Sequence, residues 1–282
     1  SPLPVVADIH FKAGLAIASV AAGAAGLRIN PGNIGSRDRV ESVVAAARAA
    51  GIPIRIGVNA GSLPKAKREL ADRDPVAALV QTVLDYVAMF EAMDFRDFKV
   101  SAKSSSVRET IDANLALARR MDYPIHLGVT EAGTRRAGSI KSAVGIGALL
   151  AQAVGDTIRV SLTGDPVEEI RTGFEILRSL GLREHGSDLI SCPTCGRTEI
   201  DVEGIALEVE RRLQALGESI EVAVMGCVVN GPGEARRADF GIAGGKGEGL
   251  IFARGEAIRK VPADELVDAL FEEIEKNRHH PV

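Results

Sequence analysis

GLRIN (26–30), PIRIGVN (53–59) and FKVSAK (98–103) are short β-branched runs built to one plan. Successive residues of a strand face opposite sides. One side collects Leu27, Ile29, Ile54, Ile56, Val58 and Val100; the other collects Arg28, Asn30, Arg55, Asn59, Lys99, Ser101 and Lys103. Three more runs repeat the plan. VVADIH (5–10) turns Asp8 and His10 to the polar side, PIHLGV (124–129) turns His126 with Thr130 just after it, and TIRVSL (157–162) turns Arg159 and Ser161. Between the runs lie Ala-rich helical stretches over 37–51, 74–93, 107–121, 139–154 and 165–180. Asp165 ahead of Pro166, with Glu168 third in the helix, predicts a capping box. Gly51, Gly155 and Gly181 predict helix stops. Repeated β-α units mean a parallel sheet.

The repeated polar face chooses between the two kinds of parallel sheet. A doubly wound sheet carries helices on both faces and leaves no place for it. A barrel does, because its interior is a separate compartment. The expected fold is therefore α/β, a TIM-type (β/α) barrel. Six units are legible where such a barrel has eight. The chain opens on a strand, so the first two units are expected to be missing, leaving two exposed sheet edges.

Five groups on the polar face are cations: Arg28, Arg55, Lys99, Lys103 and Arg159. Only Asp8 and Glu131 oppose them from these motifs. Such an excess predicts a polyanionic ligand, most naturally a diphosphate, gripped by convergent Arg and Lys; internal ion pairing is the competing reading. NPGNIG (30–35), NAGSL (59–63) and TEAG (130–133) add small, donor-rich loops at the strand ends, where barrel active sites lie. Glu131 is the acid/base candidate.

After Gly181 the β-α rhythm ends, and GLREHGSD (181–188) reads as a joint. The remainder of the chain reads as a small α+β module. It has a helix near 201–216, a strand over 219–226, short strands near 239–243 and 249–253, and a last helix over 263–277. All three cysteines of the chain lie here, in SCPTCGR (191–197) and GCVVNGPGEA (226–235). Cys192-x-x-Cys195 has the bite of two thiolates on one metal or cluster edge, and Cys227 supplies a third. An iron–sulfur cube with one non-thiolate position leads, with Glu234 as the candidate fourth ligand. Structural zinc, with His185 available, comes second; a thioredoxin-like pair or three unrelated thiols rank below it. Lys246, in the turn GGKGEG, reads as a solvated hairpin tip, and His279 and His280 as a tail.

At 282 residues the chain has length for one large domain or two. Its net charge of −4, with both signs interspersed, gives no nucleic-acid-binding face. No uninterrupted apolar run approaches the ~20 residues of a membrane span. Few cysteines, in no secreted framework, suit a reducing compartment.

VADIHF, LRINPGNIG, IPIRIGVNAGSL, FKVSAKSS, HLGVTEAG, RVSLTGDPVEEI, SCPTCGR and GCVVNGPGEA, in this order, closely resemble the bacterial 4-hydroxy-3-methylbut-2-enyl diphosphate synthases. The resemblance implies a substrate-binding barrel over 1–182 and a cluster domain over 187–282. It implies reductive ring opening and dehydration of 2-C-methyl-D-erythritol 2,4-cyclodiphosphate in the non-mevalonate isoprenoid pathway. A [4Fe-4S] cluster would sit on Cys192, Cys195, Cys227 and Glu234. Arg28, Asn30, Arg55, Asn59, Lys103, Arg159 and Ser161 would bind substrate, with Glu131 and Glu234 catalytic. Electrons would come from reduced flavodoxin or ferredoxin, to a cytoplasmic homodimer. Family members carry a further stretch ahead of the VADIH strand. Two readings compete: a phosphate-binding barrel lyase or aldolase with a structural zinc module, in which Lys99 or Lys103 forms a Schiff base, and an inactive cluster-binding fragment.

Overall fold

The structure, a computed structural model, describes residues 1–184, 186–227 and 237–278. The chain divides into two compact units, Ser1–Arg183 and Glu184–Val282.

The first unit alternates strands and helices. Strands β1 (Val6–Ile9), β2 (Gly26–Ile29), β3 (Ile54–Asn59) and β4 (Phe98–Lys103) form one parallel sheet in sequential order. Strands β5 (His126–Leu127) and β6 (Thr157–Ile158) pair in parallel, and a bridge from Val100 to Ile125 continues the order from β4 to β5. The helices are α1 (Ala13–Ala21), the single turn α2 (Pro31–Ile34), α3 (Arg37–Ala50), α4 (Arg68–Arg73) and α5 (Pro75–Ala92). After them come α6 (Val107–Ala118), α7 (Arg135–Leu150) and α8 (Pro166–Ser179).

Leu27, Ile29, Ile54, Ile56, Val58, Val100 and Leu127 are all buried in one core. Val43, Val44, Leu79, Val83, Phe90 and Leu117, from α3, α5 and α6, join them there. Helix α5, 18 residues long, is by length and composition apolar enough to cross a membrane. Its apolar side, including Leu79, Val83, Val87 and Phe90, is instead buried in this core.

Two local expectations are corrected. Asp165 does cap α8, but its carboxylate accepts the N–H of Val167 at 2.9 Å. Glu168 makes no reciprocal bond back to it; it is held by Arg135 at 2.8 Å and Arg171 at 2.6 Å. Strands β5 and β6 are also shorter than their apolar runs. The Asp156 carboxylate takes the Ile125 N–H at 2.7 Å, a donor that a longer ladder would use. The chain nonetheless stays in register beyond the strand ends, since the Arg159 N–H donates to the Leu127 carbonyl at 2.9 Å.

The second unit is a five-stranded mixed sheet in the order β11-β10-β9-β8-β7. Strand β7 (Asp188–Ser191) is joined by α9 (Val202–Leu216) to its parallel neighbour β8 (Glu221–Met225). Strand β9 (Phe240–Gly244) runs parallel to β8, and β10 (Glu248–Ala253) and β11 (Glu256–Pro262) return antiparallel. The last helix, α10 (Leu266–Arg278), packs with α9 over Val222, Val224, Ile242 and Ile251. Two strands, β7 and β11, are absent from the sequence reading. The first starts at Asp188, the last residue of the stretch read as a joint, and the second, EAIRKVP, leaves most of its side chains exposed. Lys246 stands exposed at the β9–β10 hairpin tip, as expected.

Candidate functional site

The register of the first unit sets its polar groups in rows. Asp8, Arg28, Arg55 and Lys99 are side-by-side partners across β1 to β4. Gly57 pairs with Ser101, and Asn59 pairs with Lys103 in the last row. Parallel strands in sequential order thus turn a period-2 pattern into one continuous cationic face.

Ion pairing satisfies little of that face. Arg28 reaches Asp8 at 3.0 Å. Arg55, Lys99, Lys103 and Arg159 have no carboxylate within ion-pair distance among the described residues. Their mutual repulsion shows in the titration of the two most enclosed. Burial, then Arg55, Arg159 and Arg28, pulls Lys103 down to about 6. Burial, then Arg28, pulls Arg55 down to about 10. A buried cation whose neighbours are cations is costly until an anion arrives.

Two glycines that the sequence reading passed over make room for these side chains. A Cβ on Gly57 would collide with the Arg28 guanidinium, standing 2.9 Å from Nη2. A Cβ on Gly128 would stand 2.6 Å from the Arg159 carbonyl oxygen and 3.0 Å from Lys103 Nζ. The signal was present in the twin strings IRIGVN and IHLGVT, where an inward Gly stands two places after an inward polar residue. Glycine within a strand marks a close approach.

The remaining candidates differ in how free they are. Asn30 is spent partly on the fold: its Oδ1 accepts the Gly32 N–H at 3.1 Å, and its Nδ2 donates to Ser62 Oγ at 3.2 Å. Asn59 and Ser161 are half-buried, and Arg159 is exposed. Glu131 is exposed and holds φ at 52°, a left-handed backbone that a non-glycine residue adopts at a cost.

In the second unit the topology brings cysteines together. Cys192 follows β7 and Cys227 follows β8, adjacent parallel strands whose ends are level, with Ser191 opposite Val224. The Cys192 N–H donates to the Val224 carbonyl at 3.2 Å, and the Gly226 N–H donates to Cys192 Sγ at 3.1 Å. Cys195 lies in a turn closed twice by Thr198, whose N–H donates to the Cys195 carbonyl and whose Oγ1 accepts the Cys195 N–H. The Glu199 N–H then ties that turn to the Gly226 carbonyl at 3.0 Å. Hydrogen bonds from the Arg197 backbone and then its guanidinium hold the Cys195 thiol below its ordinary value. All three thiols are free, and all three act on the Arg197 guanidinium.

Among the described residues no three Cys, His, Asp or Glu groups already converge as metal ligands. Glu234 and His185 lie outside the described residues, as do His279 and His280. The donor set still suits a thiolate-bound cluster. Three unbridged thiols lie within electrostatic reach of one cation, Arg197, and a backbone N–H is already aimed at a sulfur.

A parallel α/β unit whose cationic face has one carboxylate partner, Asp8 on Arg28, among the described residues, joined to an α+β unit with three free thiols, two of them just past adjacent parallel strands, has the make-up of an anion-binding protein with a thiolate metal or cluster domain. Comparison with known proteins narrows the class. The model of the GcpE TIM-barrel domain matches residues 1–174, and that of the GcpE protein C-terminal domain matches residues 188–276. The chain belongs to the GcpE family. The 4-hydroxy-3-methylbut-2-en-1-yl diphosphate synthase (flavodoxin) of Geobacter sulfurreducens is 56% identical over 276 residues, 98% of this chain and 78% of that protein. The proteins of the same name from Clostridium perfringens and Clostridium acetobutylicum are 56% and 57% identical over 273 residues, again 78% of each.

Proposed function

We propose that this chain is an iron–sulfur oxidoreductase of the non-mevalonate isoprenoid pathway. It opens the ring of 2-C-methyl-D-erythritol 2,4-cyclodiphosphate with two electrons and loss of water, giving 4-hydroxy-3-methylbut-2-enyl diphosphate. The observation that carries the reading is the set Arg55, Lys99, Lys103 and Arg159, cations on one face without carboxylate partners among the described residues. A cyclic diphosphate is a compact dianion, opposite in sign to that face, and the family relationship supports that choice over other phosphates.

Each residue has a place in this reading. Arg28, Arg55, Lys103 and Arg159 bind the phosphate oxygens, with Arg and Lys supplying charge-assisted donors. Asn30, Asn59 and Ser161 add neutral donors beside them, and Asn30 also shapes the loop after β2. Glu131 donates a proton to the departing hydroxyl. Cys192, Cys195, Cys227 and Glu234 hold a [4Fe-4S] cluster, which when bound supplies electrons and a Lewis-acidic iron. Residues 1–182 are the substrate-binding barrel, with six of the eight β/α units, and 187–282 the cluster domain. The protein works in the cytoplasm as a homodimer, with reduced flavodoxin or ferredoxin as electron donor.

An anaerobic visible and EPR spectrum tests the reading, taken with and without the cyclodiphosphate and before and after dithionite. The expected result is a brown, reducible centre whose EPR signal changes when substrate is added. A colourless protein that holds stoichiometric zinc after anaerobic reconstitution overturns it. A centre blind to substrate overturns the assignment of the cationic face.

A further inference from the structure

His126 stands on the cationic face but is not among the candidate ligand-binding residues. It is 8% exposed, and its Nδ1 lies 2.8 Å from Thr157 Oγ1 on the neighbouring strand. The other ring nitrogen, Nε2, is enclosed and has no hydrogen-bond partner among the described residues. A buried polar atom left in this way costs about 1–3 kcal/mol, so its surroundings must explain it. Apart from burial, the groups that depress the ring's basicity are, in falling order, Lys103, Arg55, Lys99 and Arg159. Arg55, Arg159 and Lys99 carry donors and no acceptor, and so does Lys103 once a bound anion has restored its charge. A hydrogen on Nε2 would point at donors; a bare Nε2 would offer them a lone pair.

Lys103 has the complementary need. Its side chain is mostly buried, and its ammonium makes no ion pair or hydrogen bond among the described residues. It lies over Gly128, which comes two places after His126 on the same face of the strand. The lysine head therefore lies on the same face as the imidazole and acts on it electrostatically, without a hydrogen bond to Nε2 in the ligand-free chain.

We propose that His126 is a positioning residue for Lys103: its Nδ1–H donates to Thr157 Oγ1, and once an anion is bound its Nε2 lone pair accepts from the Lys103 ammonium, aiming that charge at the anion. The assignment rests on the anion-binding reading of this face. Burial and the four cations push the imidazole far below its ordinary value, which keeps the ring neutral and the lone pair available. An incoming anion restores the charge on Lys103, and His126 then fixes the direction in which the ammonium points.

The test uses the full chain labelled with ¹⁵N-histidine and inorganic pyrophosphate as the probe. Long-range ¹H–¹⁵N spectra at neutral pH are expected to show His126 protonated at Nδ1 and bare at Nε2, with the Nε2 resonance moving as pyrophosphate binds. His126→Phe is expected to weaken pyrophosphate binding about tenfold, the equivalent of one charge-assisted hydrogen bond. His126→Gln, whose amide oxygen can accept, restores most of that loss. A hydrogen on Nε2, or an Nε2 resonance indifferent to bound pyrophosphate, overturns the assignment while leaving the anion site standing. So does a Phe variant that binds as tightly as the unaltered chain. An unaltered chain that ignores pyrophosphate overturns the anion site itself, and this assignment with it.

Discussion

The Arg28 guanidinium lies across Gly57, so close that the smallest side chain at Gly57 would displace it. Arg28 also donates to Asp8 at 3.0 Å and to the Gly57 carbonyl at 3.5 Å, so three strands together fix its direction. Gly57→Ala is expected to keep the fold, because the cost falls on the far end of a side chain. It should weaken pyrophosphate binding about tenfold, or about 1.4 kcal/mol. Gly147→Ala is the control: nothing lies within 4 Å of its Cβ position, and in a helix interior it should stabilise by about 0.5–1 kcal/mol. Isothermal titration and thermal melts of the pair decide it; equal affinities would show that Arg28 needs no fixed direction.

Lys103 makes stability depend on pH in an unusual sense. Folding lowers its ammonium from 10.5 to about 6, so between those limits the unfolded chain binds more protons than the folded one. Stability of the ligand-free protein therefore rises with pH across that window, and the penalty is fully present below it. Lys103→Met should raise Tm at pH 7, and the advantage should fade as the pH approaches 10. A difference that stays constant from pH 7 to pH 10 would remove Lys103 as its cause.

Anion binding should reverse the same shift. A diphosphate placed against Lys103 favours the charged ammonium, so binding near pH 8 takes up a proton. Calorimetric titration of pyrophosphate in buffers of different ionisation enthalpy measures that uptake directly. Lys103→Met should abolish it as well as weaken binding. Binding without proton uptake would place the anion away from Lys103.

Glu131 carries a carboxylate on a left-handed backbone, at φ 52°. Glu131→Gln keeps shape and hydrogen-bonding capacity but removes the proton donor. It is expected to bind the cyclodiphosphate normally and turn over about 10²- to 10⁴-fold more slowly. Lost binding with unchanged single-turnover chemistry would count against the proton-donor role.

Cys227 is buried at the end of β8, one residue beyond the Gly226 N–H that meets Cys192 Sγ. Cys227→Ser should lower bound iron and visible absorption after anaerobic reconstitution and abolish turnover. Asp201→Ala, which removes the α9 cap accepted from Gly204 N–H at 3.0 Å, should cost about 1 kcal/mol of stability and leave iron content unchanged. Full iron and activity in the Cys227 variant would sink the cluster assignment.

Much of this protein is determined by the sequence alone, because period-2 alternation is local. Arg28, Arg55, Lys99 and Lys103 had to share one face once their runs were strands, and Ile54, Ile56 and Val100 had to share the other. The cysteines likewise declared their chemistry through spacing and turn composition. What alternation cannot carry is register, since a strand pattern does not say which residue stands opposite which. Only the paired strands decided that Arg28, Arg55 and Lys99 form one row, that only Arg28 among the five cations of this face has a carboxylate partner among the described residues, and that Cys192 and Cys227 leave neighbouring strands at the same level. The same holds for Gly57, Gly128 and His126. Their roles are defined by what approaches them from 25 to 31 residues away in sequence, as Arg28 does Gly57 at a separation of 29 and Thr157 does His126 at 31. A glycine inside a strand marks a close approach locally, but which side chain makes that approach is decided by tertiary packing.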